Sequence, residues 1–435
     1  MVVVAWANCR RITPFYTNGA CYYTNRGKNL TNSIAKMRRI ARVAQAFTPS
    51  APISRLDMLA GRSDQILEVG SAATQRGRHV ALYGERGVGK TSLANVLREF
   101  FGADDLPNFQ TAIVNCSTDD TYASLWRRAL AELGIEMAKH EIQPDSVRRK
   151  IEQLPLPALI VIDELDRLGD DVALTLIADT IKALSDHAVE STVVLVGVAR
   201  SISELIGEHQ SIVRALAQIE MPRMSRNELR EALEFGCEQA QLTIRDDAAD
   251  EITALSEGLP HYTHLLGLHA GQRVVQDDRA EITLGDVKAA IPKAVAGHTI
   301  DDAYQLATRS VHKDALFEHV LLACALAPKN ELGFFTAGSI RDPLKTIAGR
   351  RLDIPAFSRH LSQFLEPERG AVLIREGAPK RFFYRFSDPI FQPYVILKGV
   401  SEGLISEENL HALQDREQAG DAPAESETSS PQALF

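Results

Sequence analysis

The sequence has few cysteines and no long apolar runs. Its five cysteines are scattered over 435 residues, and none of them forms a CxxC pair. This pattern argues against a disulfide framework or a zinc site, and it favours a reducing, cytoplasmic setting. No apolar run approaches the roughly 18 residues that a membrane helix needs, so we expect no membrane contact. The apolar start MVVVAWANC is short and has no basic residues before it, so we do not interpret it as a signal peptide.

Acidic residues are missing from the first 56 positions, which hold nine Lys or Arg. Residues 57–309 carry a net charge of −15, residues 310–400 carry +4, and residues 401–435 carry −7. Residues 1–36 allow three interpretations: a basic nucleic-acid-binding arm, a transit peptide, or a stretch that precedes a translation start at Met37. We favour the third, because MRRIARVAQAF begins an ordinary amphipathic pattern. We therefore expect residues 1–52 to be a basic segment that is disordered or outside the mature protein.

Strand and helix patterns alternate from residue 57, which predicts an α/β fold with a parallel sheet covered by helices. Buried strands are predicted at 79–83, 111–115, 158–163, 192–198 and 218–221. The pattern then becomes wholly helical and later changes to three helices and a hairpin. The predicted domains are a nucleotide-binding domain at 53–224, a helical lid at 225–300, a winged-helix-like domain at 301–400 and an acidic, largely disordered tail at 401–435.

The string HVALYGERGVGKTSLANVL places a glycine-rich loop between a buried strand and a helix, and it fits G-x-x-x-x-G-K-[ST]. Glycines let backbone N–H groups converge on phosphate oxygens, and the positive end of the next helix points at the same anion. The pattern predicts binding of ATP with Mg²⁺, in which Lys90 reaches the β- and γ-phosphates and the Thr91 hydroxyl holds the metal. The predicted loop contacts are Gly84, Glu85, Arg86, Gly87, Val88, Gly89, Lys90, Thr91 and Ser92.

A second motif, ALIVIDELD, is a buried strand that ends in Asp163 and Glu164. Asp163 is predicted to coordinate Mg²⁺ beside Thr91, and Glu164 to act as the general base that polarises the attacking water. One further strand, at 111–115, lies between the two motifs along the chain. This order separates the chain from GTPase-like proteins and predicts ATP hydrolysis.

These motifs, in this order, resemble those of AAA+ ATPases of the origin-recognition and archaeal initiator-type branch. The resemblance covers about residues 53–300, and 310–400 more weakly. It implies that Arg62 in LAGRSDQI lies near the adenine, and that Arg214 is an arginine finger acting on a neighbouring subunit of a homo-oligomer. Arg200 stands where the polar sensor-1 residue is expected.

The string GLPHYTHLLG resembles the sensor-2 region, with His261 in the place of the usual arginine. The same string resembles the GxP motif of STAND signalling ATPases, in which Pro260 would contact the nucleotide.

The last folded region resembles a winged helix, which raises the possibility of DNA binding. Its candidate phosphate contacts are Lys345, Arg350, Arg351, Arg359, His360, Arg375, Lys380 and Arg381. The net charge of +4 is small for a DNA-binding domain, and a protein-interaction or autoinhibitory module is the alternative.

We therefore consider three functions. The first is an AAA+ ATPase that remodels or loads a DNA- or protein-bound partner. The second is a STAND-like regulatory ATPase that acts through protein contacts without DNA. The third is a nucleotide-binding scaffold without turnover, against which intact Lys90 and Glu164 argue.

Overall fold

The computed structural model describes residues 24–53, 55, 59, 61–102, 109–199, 201–206, 210–296, 300–310, 316–330, 332–378 and 381–418. Within these ranges, no helix is both long enough and apolar enough to cross a membrane.

Five parallel strands form the central sheet, and their apolar side chains are buried on both faces. The strands are β1 (His79–Gly84), β2 (Gln110–Asn115), β3 (Ala158–Asp163), β4 (Thr192–Val198) and β5 (Leu216–Glu220). Their order across the sheet is β2-β3-β4-β1-β5, and every neighbouring pair is parallel. All six residues of β3 are buried, as expected in a parallel sheet that is covered on both sides. The predicted α/β class and its five strands are confirmed.

Helices cover both faces of this sheet. Helix α1 (Thr24–Ala46) precedes the sheet and packs on helices that follow it. The helices of the sheet domain are, in chain order, α2 (Ser63–Ala73), α3 (Lys90–Phe100), α4 (Tyr122–Glu132), α5 (Pro144–Glu152), α6 (Asp171–Asp186) and α7 (Ile202–Ile206). Residues of α4, α5 and α6 form a core with one face of the sheet, in which Trp126 is completely buried. Residues of α2 and α3 pack on the other face, in a core that continues into the domains that follow.

The helical lid consists of α8 (Arg226–Ala240), α9 (Asp246–Leu255), α10 (Pro260–Gln276) and α11 (Leu284–Val295). Short parallel strands β6 (Thr243–Ile244) and β7 (Glu281–Ile282) join the connections between these helices. Ser225 caps α8 by accepting a hydrogen bond from the Glu228 N–H, and the Glu228 carboxylate in turn accepts one from the Ser225 N–H. This capping box fixes the point at which the sheet domain ends and the lid begins.

The region predicted as the third domain contains the three predicted helices, which are α13 (Phe317–Ala325), α14 (Arg341–Ala348) and α15 (Ile354–Gln363). The predicted hairpin is formed by β9 (Leu373–Ala378) and β10 (Arg381–Phe386). The region also includes α12 (Ile300–Thr308), β8 (Phe335–Thr336) and α16 (Phe391–Ser401). Strand β10 pairs with both β8 and β9 in antiparallel fashion.

The expectation of a disordered segment at 1–52 is wrong for the part that the structure describes. Helix α1 and the residue after it pack against the lid through Val43 and Phe47, which are 0% and 1% exposed. Phe47 fits between two glycines, because an added Cβ at Gly236 or Gly267 would lie 2.5 or 2.6 Å from its ring. The prediction extended the polar character of residues 1–36 to the whole segment, although the residues that follow have an apolar face. Met37, the predicted translation start, lies inside α1.

The acidic tail is also more ordered than expected. Helix α17 (Glu407–Gln418) packs against the lid, and its Leu410 is completely buried. His411 Nε2 lies 2.6 Å from a carboxylate oxygen of Glu251, and Lys288 pairs with Glu407. The acidic composition therefore does not prevent packing, because the lid supplies charged and polar partners. Residues 419–435 of the predicted tail lie outside the described residues.

Candidate functional site

The glycine-rich loop joins the end of β1 to the start of α3. Gly84 is required there because a Cβ at this position would collide with the carbonyl oxygen of Met221. Gly89 has φ +97°, a left-handed conformation that favours glycine, and it immediately precedes the helix. As at the start of any α-helix, the first backbone N–H groups of α3 have no partners inside the helix. Because α3 begins directly after the loop, these groups can bind the same anion as the loop.

Lys90 is largely buried within this loop. Its ammonium donates hydrogen bonds to the carbonyl oxygens of Gly84 (2.9 Å) and Glu85 (2.6 Å). Burial lowers the pKa of Lys90 to about 8, while the carboxylates of Asp166, Asp163 and Glu85 act in the opposite direction. The loop carbonyls take the place of water around the ammonium, so the lysine is held as a partly desolvated point charge that can bind an anion.

The end of β3 brings a carboxylate to this loop. Asp163 is 2% exposed, and its Oδ1 accepts a hydrogen bond from the Glu164 N–H at 2.7 Å. Its Oδ2 is buried and has no hydrogen-bond partner among the described residues. Burial raises the pKa of Asp163, whereas the Glu164 N–H and the Thr91 hydroxyl act to lower it.

This arrangement fits a bound Mg²⁺, because Thr91 and Asp163 present hard oxygen atoms, and Oδ2 of Asp163 accepts no hydrogen bond from the described residues. Within the described ranges, no group of three or more His, Cys, Asp or Glu side chains could hold a metal ion. A magnesium ion typically takes one or two protein oxygens and completes its shell with phosphate oxygens and water. The pair is therefore suited to a metal that arrives with a nucleotide.

Glu164 follows Asp163 in an unusual backbone conformation. Its φ of +55° and ψ of +40° lie in the left-handed region, which is uncommon for a residue other than glycine. Such conformations are often found at functional sites. The Glu164 carboxylate accepts a hydrogen bond from Arg167 Nη1 at 2.7 Å, and both side chains are about half exposed.

These residues line a cavity of about 800 Å³ between the sheet domain and the lid. On the lid side, its wall includes Pro260, His261 and His264. Another part of the wall is the segment after α1, which turns at residues 49–51 and includes Thr48, Pro49 and Ile53. The volume is within the range of small-molecule sites in proteins.

Hydrogen bonds hold this segment in place. The Pro49 carbonyl oxygen lies 2.8 Å from Nδ1 of His261, and the Thr48 N–H donates to Nδ1 of His264. The Ile53 N–H donates to the hydroxyl of Ser92 on α3. The segment thus contacts both the lid and the helix that begins at the P-loop.

Arg62 lies buried beside the P-loop, with 2% of its surface exposed. Its Nη2 donates to the carbonyl oxygens of Val88 (3.0 Å) and Pro222 (2.7 Å), and its Nη1 lies 3.9 Å from the Glu228 carboxylate. Burial lowers the pKa of Arg62, and Glu228 acts in the opposite direction. Arg62 therefore connects the P-loop to the start of the lid, in addition to lining the cavity.

Most of the predicted site residues lie around this one cavity. Those that line it are Arg62, Arg86, Gly87, Val88, Gly89, Lys90, Thr91, Ser92, Asp163, Glu164, Pro260 and His261. Gly84 and Glu85 instead line a neighbouring cavity of about 520 Å³ between the P-loop, the lid and the third domain. Arg214 is 82% exposed and lines neither of these two cavities, and its guanidinium lies 3.9 Å from the Asp186 carboxylate. Arg200 and Lys380 lie outside the described residues.

Two parts of the cavity wall were not predicted. The segment after α1 was missed because nothing in its composition distinguishes it from a linker. Asp166 was missed although it is the last acid of the DELD string. Its Oδ1 accepts a hydrogen bond from the Val198 N–H at 2.7 Å, which ties the loop after β3 to the end of β4.

Comparison with known proteins agrees with this geometry. A family model described as an AAA domain matches residues 73–206. No curated protein matches the chain. Among solved structures, the ORC2 protein of Aeropyrum pernix is similar, with 16% identity over 86% of this chain and 98% of that chain and a TM-score of 0.49. Cdc6p from Pyrobaculum aerophilum is similar with 16% identity over 83% and 98% of the two chains and a TM-score of 0.45.

Proposed function

We propose that this protein, whose residues 73–206 match a family model for an AAA domain, binds ATP with Mg²⁺, hydrolyses it to ADP and phosphate, and uses the cycle to remodel or load a DNA- or protein-bound partner. The observation that carries the proposal is the convergence of Lys90, Thr91, Asp163 and Glu164 on one cavity. We also propose that it belongs to the origin-recognition and initiator-type branch of AAA+ ATPases, on the order of its motifs.

In this proposal, the P-loop holds the triphosphate. Lys90 donates to the β- and γ-phosphates, which compete for it with the carbonyl oxygens of Gly84 and Glu85. The N–H groups at the start of α3 provide further donors and a favourable dipole. Thr91 and Asp163 hold the metal, which when bound neutralises the charge on the phosphates.

Glu164 acts as the general base for the attacking water. Its carboxylate must first leave Arg167, with which it is paired at 2.7 Å. Both side chains are partly exposed, so the pair is weak and its exchange costs little. A ligand that draws Arg167 away would place Glu164 in its working position.

Arg214 is the arginine finger in this proposal. Its exposure of 82% leaves the guanidinium accessible to a second subunit, and because it does not line the cavity of its own chain we place its action in trans. Catalysis would then depend on a homo-oligomer. A finger of this kind neutralises charge that develops on the transferred phosphoryl group.

The third domain contacts the partner. Six of its proposed phosphate contacts are exposed and form no ion pair with a described carboxylate: Lys345, Arg350, Arg351, Arg359, Arg375 and Arg381. Exposed cations that form no ion pair can neutralise DNA phosphates without first breaking a salt bridge, and among the described residues the only ring contact of these six is that of Arg375 over Phe382. This surface favours DNA over protein as the direct contact of the domain.

A STAND-like switch without DNA is the second candidate function. It is favoured by Pro260, which lines the cavity, and by direct contacts between the P-loop and the third domain. Arg86 Nη1 lies 3.0 Å from the Asp388 carboxylate, and a Cβ at Gly87 would lie 3.1 Å from the Ile390 side chain. In this alternative the third domain restrains the nucleotide site and is released by a signal.

One experiment separates the two candidates. The ATPase rate is measured with and without duplex DNA at several salt concentrations, together with the mass in solution with ATP. The main proposal predicts faster turnover with DNA and binding that weakens steeply with salt. Replacing Arg359 and Arg375 by Gln should lower the slope of log K against log[salt] by about 2, whereas Arg149→Gln on α5 should leave it unchanged. If the ATPase rate at low salt is the same with and without DNA, and DNA shows no gel shift, the STAND-like alternative is favoured.

A further inference from the structure

Arg223 lies at the junction of the sheet domain, the lid and the third domain. It follows β5 and precedes α8, so it belongs to neither the P-loop nor the lid. Its Nε donates to the Glu85 carboxylate of the P-loop at 2.7 Å. Its Nη1 donates to the carbonyl oxygen of Glu257 and to Oε1 of Gln392, both at 3.1 Å. One guanidinium therefore contacts all three domains.

The partners of Arg223 are themselves fixed. Gln392 on α16 is 2% exposed, and its amide nitrogen donates to the Glu257 carboxylate (3.0 Å) and to the Ala325 carbonyl (3.1 Å). The orientation of this amide is unambiguous, because a flipped amide would place its NH₂ group against the guanidinium. Gln392 thereby connects Arg223 to the last turn of α13.

Glu257 is the second branch of this network. Its other carboxylate oxygen accepts a hydrogen bond from Nε2 of Gln414 on α17 at 3.0 Å. Glu257 has φ +50°, and the next residue, Gly258, has φ +79°. A Cβ at Gly258 would lie 2.7 Å from Cβ of Arg223, so the turn before α10 packs directly on the arginine. This contact explains the glycine of the GLP string, which the resemblance alone leaves without a structural reason.

Glu85 links this network to phosphate binding. Its carbonyl oxygen accepts a hydrogen bond from Lys90, and its carboxylate accepts one from Arg223. A phosphate that draws Lys90 away releases the Glu85 peptide unit and so changes the position of its side chain. Because packed interiors have discrete arrangements, such a shift is passed to the groups that Glu85 contacts.

We propose that Arg223 is a positioning residue that transmits occupancy of the P-loop to α13 and α17 through Glu257 and Gln392. The relay rests on the proposed ATP binding and adds the route by which the nucleotide controls the third domain. Arginine suits this role because its rigid fork donates in two directions at once, whereas a lysine ammonium is a single point.

The test is hydrogen–deuterium exchange on the full chain, with and without a slowly hydrolysed ATP analogue and Mg²⁺. In the wild type, the analogue should slow exchange at residues 84–91 and change it at residues 320–327 and 407–414. In Arg223→Gln the change at 84–91 should persist, and the changes at the two distant segments should fall at least about fivefold. Gln392→Met should reduce the distant response in the same way. The double variant Arg223→Gln/Gln392→Met should reduce it no further than either single change, because both changes interrupt one path.

Two further variants separate the relay from a loss of folding. Arg223→Lys keeps the charge beside Glu85 and should keep the melting temperature, yet it should lose the distant response. Arg76 pairs with Glu190, which lies just before β4 at the end of the sheet opposite the P-loop. Arg76→Gln should therefore respond like the wild type. If Arg223→Lys and Arg223→Gln both keep the full distant response, the relay is wrong while ATP binding stands. If the wild type shows no change at 84–91, the relay and the proposed ATP binding are both overturned.

Discussion

The Glu164 carboxylate is paired with Arg167 at 2.7 Å, although Glu164 is held next to Asp163 in a left-handed backbone conformation. The backbone therefore directs this residue towards the phosphate loop while its side chain is retained by a neighbouring cation. An exposed ion pair of this kind is weak enough to be exchanged when a ligand enters.

Replacing Glu164 by Gln should separate ATP binding from hydrolysis. The amide keeps the size of the side chain but cannot accept a proton, so turnover should fall about 10²- to 10⁴-fold. ATP affinity, measured by calorimetry, should stay within about threefold because the amide removes no phosphate ligand. Glu190→Gln, an exposed change distant from the cavity, is the matched control. Turnover equal to that of the wild type would remove Glu164 from the role of base.

Arg214→Ala should act on neighbouring subunits rather than on its own. Mixing the variant with wild-type chains in ATP should lower activity more steeply than the wild-type fraction falls, since each variant subunit inactivates an adjacent site. The control is Arg149→Ala, another exposed arginine with a surface partner. Activity that follows the wild-type fraction in direct proportion would show that Arg214 does not complete a neighbour's site.

Phe47→Ala should destabilise the protein strongly. The ring is 1% exposed and fills the space between Gly236 and Gly267, so its loss leaves a cavity bounded partly by backbone that cannot move in. Changes of this kind cost about 3–5 kcal/mol in the free energy of unfolding, measured in urea. Met37→Ala in the preceding helix α1, at a side chain that is 70% exposed, should change it by about 0.5 kcal/mol or less. Equal effects of the two changes would contradict the packing of α1 on the lid.

Stability should fall as the pH drops from about 6.5 to 4. Burial lowers the pKa of His79 to about 4, and burial together with His261 lowers that of His264 to about 4. In this window the unfolded chain binds protons that the folded chain does not, so the free energy of unfolding rises with pH. The contribution of the two histidines to it is complete above about pH 6.5. The two histidines together contribute a slope of up to about 2.7 kcal/mol per pH unit.

The measurement is urea unfolding between pH 4.5 and 7.5. His79→Gln should reduce the slope by about half, whereas His187→Gln, at an exposed position, should leave it as it is. A slope that is unaffected by either replacement would mean that His79 does not control acid stability.

The sheet could be predicted from the sequence because buried parallel strands are continuous apolar runs. Strands β3 and β4 have the predicted bounds, and the region predicted to be wholly helical contains the four helices of the lid. The P-loop and the acidic pair were found because phosphate binding needs glycines, a lysine and carboxylates at fixed places along the chain. Such local chemistry is readable without knowledge of contacts.

Long-range packing could not be predicted in the same way. Helix α1 and helix α17 are stabilised by surfaces of the lid that are distant in sequence, such as the slot around Phe47 and the partners of His411. The amphipathic pattern from Met37 predicts a helix with an apolar face in α1, but neither segment shows from its sequence which surface it packs on. The connection of Glu85 to Gln392 through Arg223 spans more than 300 residues, and no sequence spacing shows it.

The attachment of α1 to the lid has a mechanical consequence. The helix is fastened along its later half, where Lys36 donates to the Gln276 carbonyl and Val43 packs against Gly271. It must therefore turn with the lid as one body. With 23 residues it is about 34 Å long, so a lid rotation of about 10° would carry its first turn through about 6 Å. A small hinge motion at the nucleotide would then appear at the far end of α1 as a displacement large enough to make or break a contact with another molecule.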